Sequence, residues 1–152
     1  MKRRLFALFM GGCLLAGCLL LDGQRTRNRP AAGARPEEVT LETTGYCSCG
    51  TCCGWKRNWL FRPVFASGHL KGQPKKVGVT ATGRRARRGT IAADTDVFPF
   101  GTRMEVPGYG SGIVEDRGSA IRGRHIDLYF SSHRQALDWG RKTVTVTVWR
   151  TL

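Results

Sequence analysis

The chain has 152 residues, which is the length of one domain, and its 41% apolar content allows a hydrophobic core, although a small one. Its 25 Lys and Arg residues outnumber 11 Asp and Glu residues, giving a net charge of +14 and predicting an anionic partner. Nucleic acid, membrane lipid and acidic polymers are the candidates that this charge leaves open.

The N-terminal segment has the layout of a secretory signal. A basic start (KRR) precedes a short apolar stretch, and the following LAGC, which ends at Cys18, resembles a bacterial lipobox. We expect residues 1–17 to be a lipoprotein signal peptide and Cys18 to carry lipid. The alternative is an ordinary signal anchor that continues through residues 19–21. A secreted lipoprotein does not meet nucleic acid, so we expect no nucleic-acid partner.

We expect residues 18–38 to form a lipidated, basic and flexible tether. They show no periodic spacing of hydrophobic residues and are rich in Arg, Ala, Pro and Gly. Its arginines suit anionic lipid headgroups beside the anchor. Leu19 is not the aspartate that retains lipoproteins in the inner membrane of well-studied bacteria. We therefore expect the protein on the periplasmic face of the outer membrane.

Residues 39–152 predict an all-β domain. Short apolar or alternating pieces separated by glycines are typical of a barrel or sandwich. Six strands are predicted, at residues 39–42, 90–93, 102–106, 112–114, 126–130 and 143–148. One short helix is predicted between Ser132, which forms a capping-box pattern with Gln135, and Gly140.

Four cysteines crowd the loop 47–53. Outside the cytoplasm disulfides are the default, and an adjacent bond would be strained, so we predict that Cys52 and Cys53 each pair with Cys47 or Cys49. A four-thiolate zinc site is the main alternative, although seven residues are tight for closing four ligands around one ion. Reactive thiols are a third.

The histidines contribute no recognisable site. The spacing of His69, His125 and His133 does not join them on one face, and no Ser or Cys lies in a nucleophile elbow. Surface or core packing is the expectation for each histidine. Any catalysis therefore falls to carboxylates.

Three aspartates end or interrupt apolar strands: Asp94 in TIAAD, Asp116 in GIVED and Asp127 in HIDLYF. Asp94 and Asp116 could each be ordinary turn residues. Asp127 stands inside an apolar strand, where an unpaired carboxylate is costly, so it needs an ion-pair partner, a solvent-facing side or a function. Neighbouring strands could bring all three to one cleft.

The segment from GTIAAD through GIVEDRGSAIRGRHIDLYF, followed by HRQALDWG and a terminal Val-Thr alternation, resembles the three-aspartate (3D) domain of bacterial peptidoglycan-cleaving proteins. That family includes the C-terminal domain of membrane-bound lytic transglycosylase A and stationary-phase lytic enzymes of spore formers. The resemblance implies a double-psi β-barrel over residues 39–152. It also implies catalytic residues at Asp94, Asp116 and Asp127, with Asp127 as the acid.

The same resemblance suggests substrate-binding residues. TGY and TATG are similar to flanking family motifs, so we expect Tyr46 and Thr82 to line the groove with Ser119 and Arg122. Ser119 stands where the family has glycine, and Arg122 keeps the charge of the family lysine.

The implied activity is lytic cleavage of the MurNAc-GlcNAc bond of peptidoglycan in cell-wall turnover, with a 1,6-anhydro product. The partners are then glycan strands and, through the lipid, a membrane. Neither cofactor nor metal is expected, and the protein is expected to be a monomer. A peptidoglycan hydrolase and a non-catalytic glycan-binding barrel are the alternatives.

Overall fold

The computed structural model describes residues 35–150. The predicted signal peptide, the lipidation of Cys18 and the tether up to residue 34 lie outside the described residues. Between residues 35 and 150, no helix has the length and apolar run needed to cross a bilayer.

Within residues 35–150 the structure has eight strands and two short helices. The strands are β1 (Pro36–Tyr46), β2 (Trp55–Arg57), β3 (Pro63–Phe65), β4 (Thr90–Ala93), β5 (Arg103–Val106), β6 (Gly110–Asp116), β7 (His125–Tyr129) and β8 (Lys142–Trp149). The helices are α1 (Gly50–Cys53) and α2 (His133–Trp139).

Six strands form a closed barrel in the order β1-β7-β4-β6-β5-β8. The pairs β1–β7 and β4–β6 are parallel, and the other neighbours are antiparallel. These are the six strands predicted from the sequence. The all-β class and the six-stranded barrel of the predicted double-psi fold are therefore confirmed.

Alternation along β8 explains how the barrel closes. Val146 and Val148 are fully buried, while the intervening threonines face outward, and β8 pairs along its length with β1, whose Val39 and Leu41 are also buried. These side chains and the buried side chains of the other strands form one hydrophobic core inside the barrel.

Helix α2 packs on the barrel beside β1. Gly45 allows this close approach, since a Cβ atom there would come within 2.7 Å of the carbonyl oxygen of Ala136. The Ser132 hydroxyl caps the helix by accepting the Gln135 N–H, and Gly140, at φ 67°, follows the last helical residue. The predicted short helix is thus present.

Three features differ from the sequence predictions. The strands β2 and β3 form a separate two-stranded sheet whose connecting loop exposes Trp59 and Phe61, and the single turn α1 lies in the cysteine loop. The strand β1 also begins at Pro36, three residues inside the segment predicted as tether, because it pairs there with the end of β8.

Candidate functional site

A cleft of about 490 Å³ lies against one face of the barrel wall, beside the cysteine loop. Its acidic lining residues are Asp116 and Asp127, and its basic ones are Lys75, Lys76 and Arg117. Other lining residues include Tyr46, Cys52, Cys53, Ala92, Ser119 and Ile121. The cleft therefore combines two carboxylates with a basic rim.

Strand register brings the two carboxylates to the same face of the sheet. Ala92 of β4 is the partner of Asp127 on β7 and of Asp116 on β6. Residues in register share a face, so the aspartates flank Ala92 at about two strand spacings, or roughly 10 Å between Cα positions. The small side chain of Ala92 leaves the space between them open.

A bulge in β6 directs Asp116 to this face. Ile91 pairs with Val114 but Ala92 pairs with Asp116, so Glu115 is the extra residue. The Glu115 side chain turns into the protein, where it meets Arg84 at 3.0 Å and Arg87 at 3.7 Å. The bulge thus turns the Glu115 carboxylate toward the two arginines and the Asp116 carboxylate toward the cleft.

Asp127 is half-buried and has no arginine or lysine partner within ion-pair distance among residues 35–150. Its Oδ1 accepts a hydrogen bond from the Thr44 hydroxyl at 2.9 Å, and that hydroxyl lies 2.8 Å from Nε2 of His125. Burial raises the pKa of Asp127, and the negative charge of Asp116 adds to the increase. The Thr44 hydrogen bond and the charges of His125 and Arg141 oppose it.

Asp116 is held firmly as a hydrogen-bond acceptor. Its Oδ1 accepts from the backbone N–H groups of Ala81 and Arg117, each at 2.9 Å, and its Oδ2 accepts from the Tyr46 hydroxyl at 3.2 Å. Burial and the Asp116 charge raise the pKa of Tyr46, so this phenol stays protonated as a donor. Tyr46, which the family resemblance singled out, therefore lines the cleft and orients a carboxylate.

Asp94 does not line the cleft that Asp116 and Asp127 line. It follows β4 as a turn residue, with Oδ1 accepting from Asp96 N–H at 3.2 Å and Oδ2 from Gly123 N–H at 2.8 Å. The Gly123 hydrogen bond, then the Asp96 one, lowers the pKa of Asp94, with the Arg122 charge adding to both. Asp94 thus ties its own turn to the 117–124 loop.

Of the remaining predicted binding residues, one lines the cleft and two do not. Ser119 lines the cleft from the loop after Asp116. Thr82 instead donates its hydroxyl to the Glu115 carbonyl at 3.0 Å, and Arg122 is exposed near Asp94; neither lines the cleft.

The four loop cysteines are thiols in the structure, and their pairing in two disulfides stays a prediction. Three of them surround Nδ1 of His133, which sequence reasoning assigned to packing. Cys53 faces the other way and donates its S–H to the Cys47 carbonyl at 3.1 Å. Burial raises the pKa of Cys53 to about 11, so it is a protonated thiol at neutral pH.

Two proteins of Bacillus subtilis (strain 168) are similar to this chain over 75 residues. YabE, whose name describes cell wall shaping, is 41% identical, and the cell wall-binding protein YocH is 43% identical. Each match covers 47% of this chain, but 18% of YabE and 26% of YocH. The matched part is therefore a small portion of both relatives.

Two crystal structures of MltA from Escherichia coli, described as having a unique lytic transglycosylase fold, are similar over 53% of this chain and 30% of MltA. The sequence identity is 23%, with TM-scores of 0.41 and 0.40. Residues 89–150, which include all three aspartates, match the family model of the 3D domain. The resemblance to the 3D domain that the aspartate motifs indicated is thereby confirmed over those residues.

Proposed function

We propose that the cleft cleaves the MurNAc-GlcNAc bond of peptidoglycan as a lytic transglycosylase, with Asp127 as the general acid and base. The observation that supports this most is Asp127 itself. It is a half-buried strand carboxylate with a raised pKa and an open cleft in front of it, and no lysine or arginine of the described part of the chain pairs with it. A carboxylate in this position can meet a ligand in the cleft, which a carboxylate neutralised by arginines inside the protein cannot.

The chemistry requires one group that gives up a proton and then takes one back. Protonated Asp127 donates its proton to the glycosidic oxygen as the bond from C1 to that oxygen breaks. The C6 hydroxyl of the same MurNAc attacks C1, and its proton passes to the Asp127 carboxylate. The products are a free GlcNAc hydroxyl and a 1,6-anhydro ring, so no water is consumed.

Asp116 has a supporting part in this scheme. Three hydrogen bonds fix its carboxylate across Ala92 from Asp127. There its negative charge can stabilise the positive charge that develops on the sugar ring as the bond breaks. The same charge helps to keep Asp127 protonated.

The rim of the cleft suits an acidic polymer. Lys75, Lys76 and Arg117 line it, and the peptides attached to MurNAc carry carboxylates. The names of YabE and YocH point to the same wall. Asp94, which lies outside the cleft, is proposed to position the 117–124 loop rather than to touch substrate.

A cleft that binds glycan without cutting it is the second candidate, favoured by the position of Asp94 outside the cleft lining and by the cell wall-binding name of YocH. Hydrolysis by an activated water is the third. We propose a place in the cell envelope for all three, with turnover of the wall as the role of a cutting enzyme.

The experiment compares the full chain, purified in detergent, with its Asp127→Asn variant on isolated peptidoglycan. Wild-type protein should release fragments with 1,6-anhydro ends by mass spectrometry, and the variant should not. Both should sediment with the insoluble wall, since the variant keeps the cleft. Sedimentation without new ends from wild-type protein would favour the binding barrel, and new reducing ends would favour hydrolysis.

A further inference from the structure

We propose that Cys47, Cys49, Cys52 and His133 form a tetrahedral zinc site that joins the cysteine loop to the start of α2. It replaces the predicted disulfides, differs from an all-cysteine site in its fourth ligand, and does not depend on the proposed function. One potential ligand atom from each residue lies within 4.8 Å of all the others.

The distances fit the edges of a zinc tetrahedron. Zinc bonds of about 2.3 Å to sulfur and about 2.0–2.1 Å to nitrogen imply ~3.8 Å between two sulfurs and ~3.6 Å between sulfur and nitrogen. The Sγ atoms of Cys47 and Cys52 are 3.8 Å apart. Nδ1 of His133 lies 3.3, 3.5 and 4.0 Å from Sγ of Cys52, Cys49 and Cys47.

Barrel topology explains why residues so distant in sequence meet. Strands β1 and β7 are parallel, with Tyr46 opposite Tyr129, so their carboxyl ends reach the same edge. Cys47 directly follows β1, and His133 follows β7 after a short link that begins with the Phe130 N–H bonded to the Tyr46 carbonyl at 2.7 Å. The barrel itself brings two of the ligands together.

The local chain geometry is that of a metal-binding turn. Cys49 and Cys52 have the two-residue separation common among structural zinc ligands. Cys49 caps α1, and its Sγ accepts the Cys52 N–H at 3.4 Å, a bond that favours a thiolate. Gly54 ends the turn in the left-handed conformation, at φ 58°.

Charge and burial also fit a structural metal. Three thiolates and a neutral histidine around Zn²⁺ carry a net charge of −1, and the Lys75 ammonium bonds to the Cys53 carbonyl at the edge of the same loop. Cys47 is buried, while the other three ligands are partly exposed and so open to a metal ion from solution.

Zinc at this position would order one wall of the cleft. Tyr46, which directly precedes Cys47, bonds to Asp116, and Cys52 itself lines the cleft. The metal would hold that wall against α2 without touching the carboxylates.

The test begins with the full chain, purified in detergent under reducing conditions with zinc, and passed through metal-free buffer. We expect stoichiometric zinc by elemental mass spectrometry. Cobalt in its place should give thiolate charge-transfer absorption and the intense visible bands of tetrahedral geometry. Removing the metal with a chelator should lower the melting temperature, because a structural metal stabilises the folded state.

Matched variants identify the ligands. Losing an outer-shell partner costs about 10- to 100-fold in metal affinity, so His133→Ala, which removes a ligand, should weaken zinc binding by more than that. His133→Cys should restore stoichiometric metal with a cobalt spectrum shifted toward four thiolates. Cys53→Ser and His69→Ala, whose side chains lie outside the cluster, should bind zinc like wild type.

Several results would overturn the site. They are substoichiometric zinc in folded wild-type protein, an octahedral cobalt spectrum, or unchanged affinity in His133→Ala. Two disulfides among the loop cysteines after purification with zinc present would also reject it. The wild-type measurements decide the matter even if a ligand variant fails to fold.

Discussion

Glu115 and Asp127 are both acidic residues inside apolar barrel strands, but their surroundings differ in charge and in exposure. The Glu115 side chain is 5% exposed and is neutralised by Arg84 and Arg87, with Thr90 donating a further hydrogen bond. Asp127 is half-buried, has Thr44 as its hydrogen-bond donor, and faces an open cleft.

The difference indicates which of the two carboxylates is available for chemistry. Glu115 contacts two arginines, and removing one partner of such a pair is destabilising, so this carboxylate contributes to the fold. Asp127 has no such arginines within ion-pair distance among residues 35–150, and burial raises its pKa, which favours a role in proton transfer. The first should affect stability when replaced, and the second should affect activity.

Asp127→Asn should have the largest effect, a loss of anhydro product of about 10²–10⁴-fold, the usual contribution of general acid-base catalysis. Its melting temperature at neutral pH should not fall, because burial disfavours the charged form that the substitution removes. Turnover and thermal unfolding of the same preparation check both points. Asp138→Asn, on the exposed side of α2, is the control. A variant with normal turnover and a lower melting temperature would make Asp127 structural.

Glu115→Gln should show the reverse pattern. Loss of a buried charge that two arginines and Thr90 contact should lower the free energy of unfolding by about 1–3 kcal/mol, with the partial exposure of both arginines limiting the loss. Turnover per folded molecule should be preserved. Denaturant unfolding measures the loss, and Glu38→Gln, exposed on β1, should leave stability unchanged. Selective loss of turnover in a fully stable variant would remove the contrast with Asp127.

Asp94→Ala should have a smaller effect. It removes the acceptor of two backbone N–H groups, so the melting temperature should fall slightly. Turnover should fall less than in Asp127→Asn, since the 117–124 loop loses one anchor while the cleft carboxylates remain. Asp96→Ala is the control. Equal loss of turnover in Asp94→Ala and Asp127→Asn would indicate that Asp94 is a catalytic residue.

Thr44→Val should have the smallest effect of the four variants, a shift in the pH dependence of activity. The Thr44 hydroxyl donates to Asp127 and favours its ionised form, so removing it should raise the pKa of Asp127 further. Activity that needs the protonated acid is lost as pH rises through this pKa, and the alkaline limb should therefore move to higher pH. Thr40→Val, on the same strand but exposed, should leave the limb in place. A shift to lower pH would contradict the assignment of Asp127.

The barrel was predictable because its strands carry their own signals. The Val-Thr alternation of β8 and the apolar runs around Ala92 and Asp127 indicate strands without knowledge of their partners. The hairpin β2–β3 lacks such a signal, since its strands are three residues long and its loop contains exposed aromatic residues. The hydrophobic pattern of the sequence therefore predicted the strands that form the barrel core.

The arrangement of the site depended on contacts that local pattern does not contain. The bulge that sends Glu115 inward and Asp116 outward arises from pairing between β4 and β6. His133 meets the cysteines because β1 and β7 are parallel, and this could have been inferred had that pairing been known. The hydrogen bond from the Gly123 N–H to Asp94 is likewise a contact between distant parts of the chain.

The most direct test of the central claim is digestion of purified peptidoglycan by the full chain in water enriched in heavy oxygen, followed by mass spectrometry of the new ends. Intramolecular attack by the C6 hydroxyl predicts 1,6-anhydro ends that carry no heavy oxygen. New reducing ends that carry the label would contradict it in favour of hydrolysis, and a folded protein that binds the wall but generates no new ends would contradict catalysis altogether.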